Sequence, residues 1–325
     1  KICISIDGWG NKFKYPRGHF VKILGDIGDK NVESESILFE RRIPFQKFSK
    51  CVIDCLPDIS DSAKNDQCCS DIEKILQDNS KRMDLRHLTI CSIDPPGCTD
   101  IDDAIHCRLV SSDLGNEIYE LGIHIADVTH YVLPGTHLDR EAYRRGTTVY
   151  LVDRRIDMLP ELLSSNLCSL RPNEDRLAFS VLYYIDNSGN LVESHPPLFT
   201  KSVIRSRSAF TYSEAQCILD DQNDLSEISV MLKKIAAITK HLRMRRLSRG
   251  ALTLETSEVR FEIDSETLEP IELNLKESLE TNKLIEDCML LANVLVGRKI
   301  YETYPNLAIL RCHPRPSPDA LKQLF

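Results

Sequence analysis

Residues 94–107, DPPGCTDIDDAIHC, set four carboxylates, Asp94, Asp100, Asp102 and Asp103, within ten positions. Ionised groups held about 5 Å apart repel by about 3 kcal/mol per pair at an effective dielectric near 20. Such a knot calls for a cation. Pro95, Pro96 and Gly97 deny the stretch a regular helix, and AIHCRLV (104–110) reads as a strand. The acids are therefore expected on a rigid loop that enters a sheet, where several oxygens can aim at one point. Hard oxygen donors suit Mg2+ or Mn2+, which commonly take one or two carboxylates and leave the other positions to water and phosphate. An acidic turn facing solvent has the same composition. Asp-x-Asp also serves an aspartyl nucleophile of the phosphatase kind and a metal-binding nucleotide-sugar transferase. Spacing alone does not separate these chemistries.

The surrounding strings narrow the field. DPPGCTDIDDAIHC, then LGIHIADVTHYV (121–132), then RRGTTVYLVDRRIDMLPELLSSNLCSL (144–170) closely resemble the RNase II (RNB) family of 3′-to-5′ exoribonucleases. Within that family the likeness is nearest to members that act as the catalytic subunit of the eukaryotic RNA exosome. The resemblance implies processive, Mg2+-dependent hydrolysis of single-stranded RNA to nucleoside 5′-monophosphates. It implies that Asp94, Asp100, Asp102 and Asp103 hold one or two Mg2+ ions, with Mn2+ as a substitute, and that loss of Asp102 most damages the chemistry. Tyr150, in TTVYL, matches the tyrosine that stacks on the 3′-terminal base, and Tyr212, at the end of VIRSRSAFTY, the one that contacts the terminal nucleotide. Glu286, in NKLIEDCM, is placed near the terminal ribose, where a carboxylate can accept a 2′-hydroxyl and so tell RNA from DNA. Single-stranded RNA and exosome core subunits are the implied partners, and the nucleus, nucleolus and cytoplasm the implied compartments.

Two departures from the family pattern stand out. Leu254 occupies the position where bacterial relatives carry a further stacking aromatic. The sequence stops at CHPRPSPDALKQLF, before an arginine-bearing TSPIRRY-type segment and an S1 domain, so this fragment alone is expected to cleave weakly.

The totals constrain the reading. A chain of 325 residues is long enough for one large or two ordinary domains, and 42% hydrophobic with 28% charged residues is the balance of a globular chain, not a disordered one. No apolar run reaches about 18 residues and no signal peptide is evident, so no membrane partner is expected. Twelve cysteines are dispersed without a Cys-x-x-Cys pair, which points to reduced thiols; Cys98, His106 and Cys107 lack the pairing zinc would need. A net charge of −8 argues against a broad basic surface coating nucleic acid. Positive charge is concentrated in KKIAAITKHLRMRRLSR (233–249), which carries seven Lys and Arg and no acid; it reads equally as a narrow RNA track or as a solvated helix face. The competing class is a non-catalytic RNA-binding or assembly protein with vestigial acids.

Taken in order, KICISIDGW (1–9) opens mid-strand without a methionine, as a fragment would. Residues 14–30 and 33–44, separated by Gly-Asp turns, predict short strands of a small barrel that resembles the end of a second cold-shock (OB-type) domain. Trp9, Phe13, Tyr15 and Phe20 fit base stacking or the barrel core, and core is the commoner fate. The expected fold is α+β: a partial OB-type barrel over 1–50, a connector over 51–85 with a short helix at 70–76, and an RNB nuclease domain of mixed sheet and helices over 86–325, incomplete at its C-terminus.

Within that domain, 104–110 and 117–128 should form a hairpin around SSDLGN. Tyr119, Leu121, Ile123 and Ile125 share one face, and Asp127 continues it as a structural acid. Residues 138–143 predict a helix ended by Gly146, and 147–155 a strand. Ser213 and Gln216 suggest a capping box. Leu225, Ile228, Leu232, Ile235 and Leu242 mark a helix stripe that Gly250 stops. Residues 251–264 predict a strand, and 278–305 a long helix with Glu286 and Asp287 inside an apolar sequence.

Overall fold

The structure, a computed structural model, describes residues 1–57, 75, 82–113, 116–151, 153–253, 259–263, 270–275, 278–312, 314, 315, 317–319 and 322. In chain order the elements are β1 (Ile2–Gly8), β2 (Arg17–Ile23), α1 (Lys30–Glu40), α2 (Lys50–Ile53), β3 (Arg82–Asp84), β4 (Cys91–Asp94), β5 (Asp103–Asp113) and β6 (Asn116–Ala126). There follow α3 (His137–Arg145), β7 (Val149–Tyr150), β8 (Arg155–Ile156), a π-helical turn (Leu162–Leu167), β9 (Asp175–Asp186), β10 (Leu198–Arg205) and β11 (Ser208–Thr211). Last come α4 (Tyr212–Asp220), α5 (Glu227–Ser248), β12 (Val259–Ile263), β13 (Pro270–Leu275) and α6 (Glu280–Thr303). The fold is α+β. Two compact units are present, one made of Lys1–Pro57 with Val132–Glu161, the other of Asp58–Tyr131 with Leu162–Phe325.

The second unit is built on a seven-stranded sheet in the order β11-β4-β5-β6-β9-β10-β3. β11 runs parallel to β4 and β10 parallel to β3, and the remaining neighbours are antiparallel. The predicted hairpin is β5–β6, with Asp103 opposite Ile125. Alternation sends Tyr119, Leu121 and Ile123 to one face, with Val181, Tyr183 and Ile185 beside them. Leu232, Ile235 and Ile238 of α5 and Leu284, Ile285 and Cys288 of α6 cover that face. Burying each such aliphatic side chain stabilises by about 1.5–3 kcal/mol. The opposite face has its own buried set, in which Ile90, Ile101, Ala104, Leu170, Ala178, Leu182 and Ile204 pack together.

Several local expectations need correction. The capping box at the start of α4 is Thr211 with Glu214, two residues earlier than predicted from Ser213 and Gln216. The Thr211 hydroxyl accepts from Glu214 N–H and the Glu214 carboxylate accepts from Thr211 N–H, and a charged acceptor outcompetes an amide. Leu225 lies before α5 and is exposed, because Ser226 caps that helix; Leu232 and Ile235 are buried and Ile228 and Leu242 partly so, as expected. Ile75 packs against Leu177 and Val203, but the rest of the predicted helix at 70–76 lies outside the described residues, as does Leu254.

In the first unit, β1 and β2 pair antiparallel, with Ile4 opposite Phe20. Residues 33–44, expected as strand, fall largely in α1. Asp29 caps this helix by accepting from the backbone N–H of Asn31 and Val32, which outweighs the weak strand pattern. Trp9, Phe13, Tyr15 and Phe20, for which the barrel core is the commoner expectation, are exposed. α3 ends at Gly146 with φ 74° as expected, and its Arg145 stacks on Phe48 at 3.9 Å. The strand expected over 147–155 shortens to the β7–β8 ribbon, with Tyr150 opposite Arg155. Among the described residues no helix is long and apolar enough to cross a membrane.

Candidate active site

Three of the four predicted acids converge. Asp94 ends β4, Asp103 begins β5, and Asp102 stands on the loop between them. One carboxylate oxygen from each lies within 4.8 Å of the others. The convergence follows from topology. β4 and β5 are antiparallel neighbours, paired at Cys91 and Ile105, so the end of one strand and the start of the next share one end of the sheet. Ala126 N–H donates to the Asp102 carbonyl at 2.9 Å and fixes the loop to the end of β6. Asp100 stands outside the group of three, with the Cys98 thiol donating to its Oδ1 at 3.6 Å, but its charge still reaches Asp94 and Asp102.

The electrostatics show what the acids lack. Burial first, with the Asp102 charge behind it, pushes the Asp94 carboxyl up to about 6. Burial and then the charges of Asp102 and Asp94 push Asp103 up to about 7. Asp102, the most exposed of the three, is also raised, again first by desolvation. At 4.8 Å each ionised pair repels by about 3 kcal/mol at an effective dielectric near 20. Asp94 Oδ2 is buried without a hydrogen-bond donor. A hard divalent cation fits this set: all-oxygen donors, excess negative charge and an unsatisfied buried lone pair.

Tyr212 follows Thr211, which pairs with Asp94 across β11 and β4. Its ring is half-buried, and its phenol is raised by desolvation first and then by Asp103, Asp94 and Asp102, so it lies within electrostatic reach of all three acids. Its carbonyl accepts from the Thr281 hydroxyl of α6 at 2.9 Å. Glu286, on α6, is exposed, with its carboxylate 3.8 Å from Arg246 of α5. The buried acid of that helix is its neighbour Asp287, which pairs with Arg246 Nη1. Tyr150 belongs to the first unit and is exposed on its two-residue strand.

The basic segment is largely engaged within the fold. Lys233 donates to the carbonyls of Asp221 and Asp224, Arg243 to Glu280, Arg245 to Asn190 and the Gly189 carbonyl, and Arg246 to Asp287. Lys234 lies 4.4 Å over the Tyr119 ring. These bonds favour a structural role for this stretch over an open RNA track. Asp127 is structural as expected, held by the Arg82 guanidinium, the Thr129 hydroxyl and, at 3.2 Å, the Lys201 ammonium. The sequence reading missed Ser169, whose hydroxyl bonds the acidic loop, and the Arg246–Asp287 pair; no pattern in one sequence marks a contact made across so many residues.

Comparison with known proteins agrees with this fold. A family model described as the RNB domain matches residues 82–325, and one described as Dis3-like cold-shock domain 2 (CSD2) matches residues 1–42. The human protein named exosome complex exonuclease RRP44 is 48% identical over 319 residues, which is 98% of this chain and 31% of that protein. Mycoplasma genitalium RNase R, solved in complex with ribose-methylated single-stranded RNA, matches with a TM-score of 0.82 and 26% identity over 99% of this chain and 47% of its own. Yeast Ssd1, solved as a pseudonuclease, matches with a TM-score of 0.72 and 22% identity over 98% of this chain and 37% of its own, a likeness of fold alone. The chain spans about a third of the length of the curated relatives it matches.

Proposed function

This chain belongs to the RNB family, and from that premise we propose that the protein degrades single-stranded RNA processively from its 3′ end to nucleoside 5′-monophosphates, using Mg2+ held by Asp94, Asp102 and Asp103. The supporting observation is the convergence of these three carboxylates within 4.8 Å in a partly desolvated site. The fold by itself does not decide, since a pseudonuclease shares it. A bound divalent cation there supplies charge neutralisation at the scissile phosphate and activation of a water.

The chain's own groups do the rest. Without a cation Asp94 holds its proton only up to about pH 6 and Asp103 only up to about pH 7, and both would be deprotonated as ligands. Asp100 adds a fourth negative charge beside them. Tyr212 offers a half-buried ring near the acids, and stacking on an aromatic contributes about 1–3 kcal/mol per base without choosing a sequence. Glu286 presents an exposed carboxylate able to accept a ribose 2′-hydroxyl. Tyr150 as a second stacking ring rests on family resemblance, as do exosome core subunits as partners and RNA processing and decay in nucleus and cytoplasm as the setting. Mn2+ is expected to substitute for Mg2+.

The test is release of mononucleotides from a 3′-labelled RNA oligonucleotide by the full-length protein. Mg2+-dependent release is expected, and Asp102→Asn should reduce it by about a thousandfold or more while RNA binding persists. Undiminished release by that variant contradicts the proposed site. No release by the wild type supports the binding-protein reading instead.

A further inference from the structure

The acidic loop is anchored from outside its own strands. Ser169 is fully buried, and its hydroxyl bonds the loop twice, accepting from Ile101 N–H at 3.1 Å and donating to the Thr99 carbonyl at 2.9 Å. These two peptide groups bracket Asp100, and Ile101 leads directly into Asp102. The next residue, Leu170, donates its N–H to the Ile101 carbonyl at 2.8 Å, so both backbone groups of Ile101 are tied to one short segment.

That segment is itself fixed to the sheet. Arg176 is buried in β9, where it pairs with Ile204 of β10. Its Nε donates to the Ser169 carbonyl at 2.9 Å and its Nη1 to the Asp175 carbonyl at 3.0 Å, while Nη2 pairs with Glu174. An unbroken run of bonds therefore leads from the central strands through Arg176 and Ser169 to the peptides on either side of Asp100.

We propose that Ser169 is a positioning residue for the cation site, holding the backbone of residues 99–101 so that Asp102 stays converged on Asp94 and Asp103. The inference rests on reading the three acids as a cation site. Mutual repulsion drives the carboxylates apart, and the loop has slack to yield, because Gly97, at φ 76°, sits in its turn. A side chain that both accepts and donates at adjacent peptides removes that slack. A hydroxyl does this from one atom, whereas alanine leaves Ile101 N–H buried without an acceptor. Groups that orient metal ligands from behind typically change metal affinity by about 10–100-fold when removed.

The experiment titrates Mn2+ into the full-length protein by electron paramagnetic resonance, with hydrogen exchange read at the Ile101 amide and RNA binding measured in chelator. Ser169→Ala should weaken Mn2+ binding about tenfold or more and speed exchange at Ile101, with RNA affinity unchanged. Ser180→Ala removes another fully buried hydroxyl, one bonded to His124 and Ser202 away from the loop, and should leave Mn2+ affinity at the wild-type value. Wild-type Mn2+ affinity in Ser169→Ala, or an equal loss in Ser180→Ala, overturns the proposal. Should Ser169→Ala lose its cooperative unfolding transition, Ser169→Cys, which keeps the branching and weakens both bonds, is judged by the same two outcomes. A wild type that binds no Mn2+ refutes the cation-site reading itself, and the positioning role with it.

Discussion

The β5–β6 hairpin of the second unit and the β1–β2 ribbon of the first carry the same alternation of apolar residues. In the hairpin, Tyr119, Leu121 and Ile123 are buried beneath α5 and α6. In the ribbon, Ile2, Ile4 and Ile6 alternate as regularly and are all exposed. Alternation thus specifies a strand and its two faces, but burial needs a second layer, and among the described residues the seven-stranded sheet has a buried apolar set on each face. The acids profit from that difference. They sit at one end of strands packed on both faces, where burial raises Asp94 and Asp103.

Paired substitutions probe the contrast most strongly. Ile123→Ala removes a side chain enclosed between Ile105 and Val181 and should destabilise the second unit by about 2–5 kcal/mol in denaturant unfolding. A cost below about 1 kcal/mol would mean that the helices do not cover this face as described.

Next in size is the response to Mg2+ and pH. Carboxyls whose folded pKa is raised, to about 6 at Asp94 and about 7 at Asp103 from 3.8, stabilise the cation-free protein fully below pH 3.8, and that contribution is lost as pH rises through 6 to 7. A cation binds the deprotonated acids and offsets the loss. The rise in melting temperature caused by Mg2+ should therefore be near zero at the acid end and reach its full size above about pH 7. Scanning calorimetry with Mg2+ and with chelator checks this. A Mg2+ effect that is constant across the window, or that persists in Asp102→Asn, would break the link between the acids and the metal. Hydrogen exchange sharpens it further, since Mg2+ should protect amides at the β4–β5 junction and leave β1 and β2 unchanged.

The smallest effect belongs to Ile4→Ala, which should stay within about 0.5 kcal/mol because its side chain already faces solvent. A loss comparable to that of Ile123→Ala would show a cover over the ribbon and erase the contrast.

Features set by neighbours in sequence were readable in advance. The hairpin, the helices ended by Gly146 and Gly250, the long α6 and the convergence of Asp94, Asp102 and Asp103 all follow from alternation, turn chemistry and two adjacent strands. Where two local signals compete, the sequence pattern alone misleads. Asp29 starts a helix in a stretch that resembles a strand, and Glu214 outbids Gln216 as capping partner because it is charged. Contacts between residues far apart in the chain were out of reach altogether. Ser169 is a small residue in a run of Ser and Leu, and nothing local distinguishes it from Ser164 or Ser165, yet its hydroxyl bonds both Thr99 and Ile101. Of the adjacent acids on α6, the pattern could not say that Asp287 turns inward to Arg246 while Glu286 turns out.

The divalent-ion site proposed at the three carboxylates is tested most directly by anomalous diffraction from crystals of the full-length protein soaked in Mn2+. A peak among the oxygens of Asp94, Asp102 and Asp103 that vanishes in Asp102→Asn is the predicted result. An empty site in crystals of protein that still trims RNA, or a peak bound elsewhere and indifferent to that substitution, would contradict it.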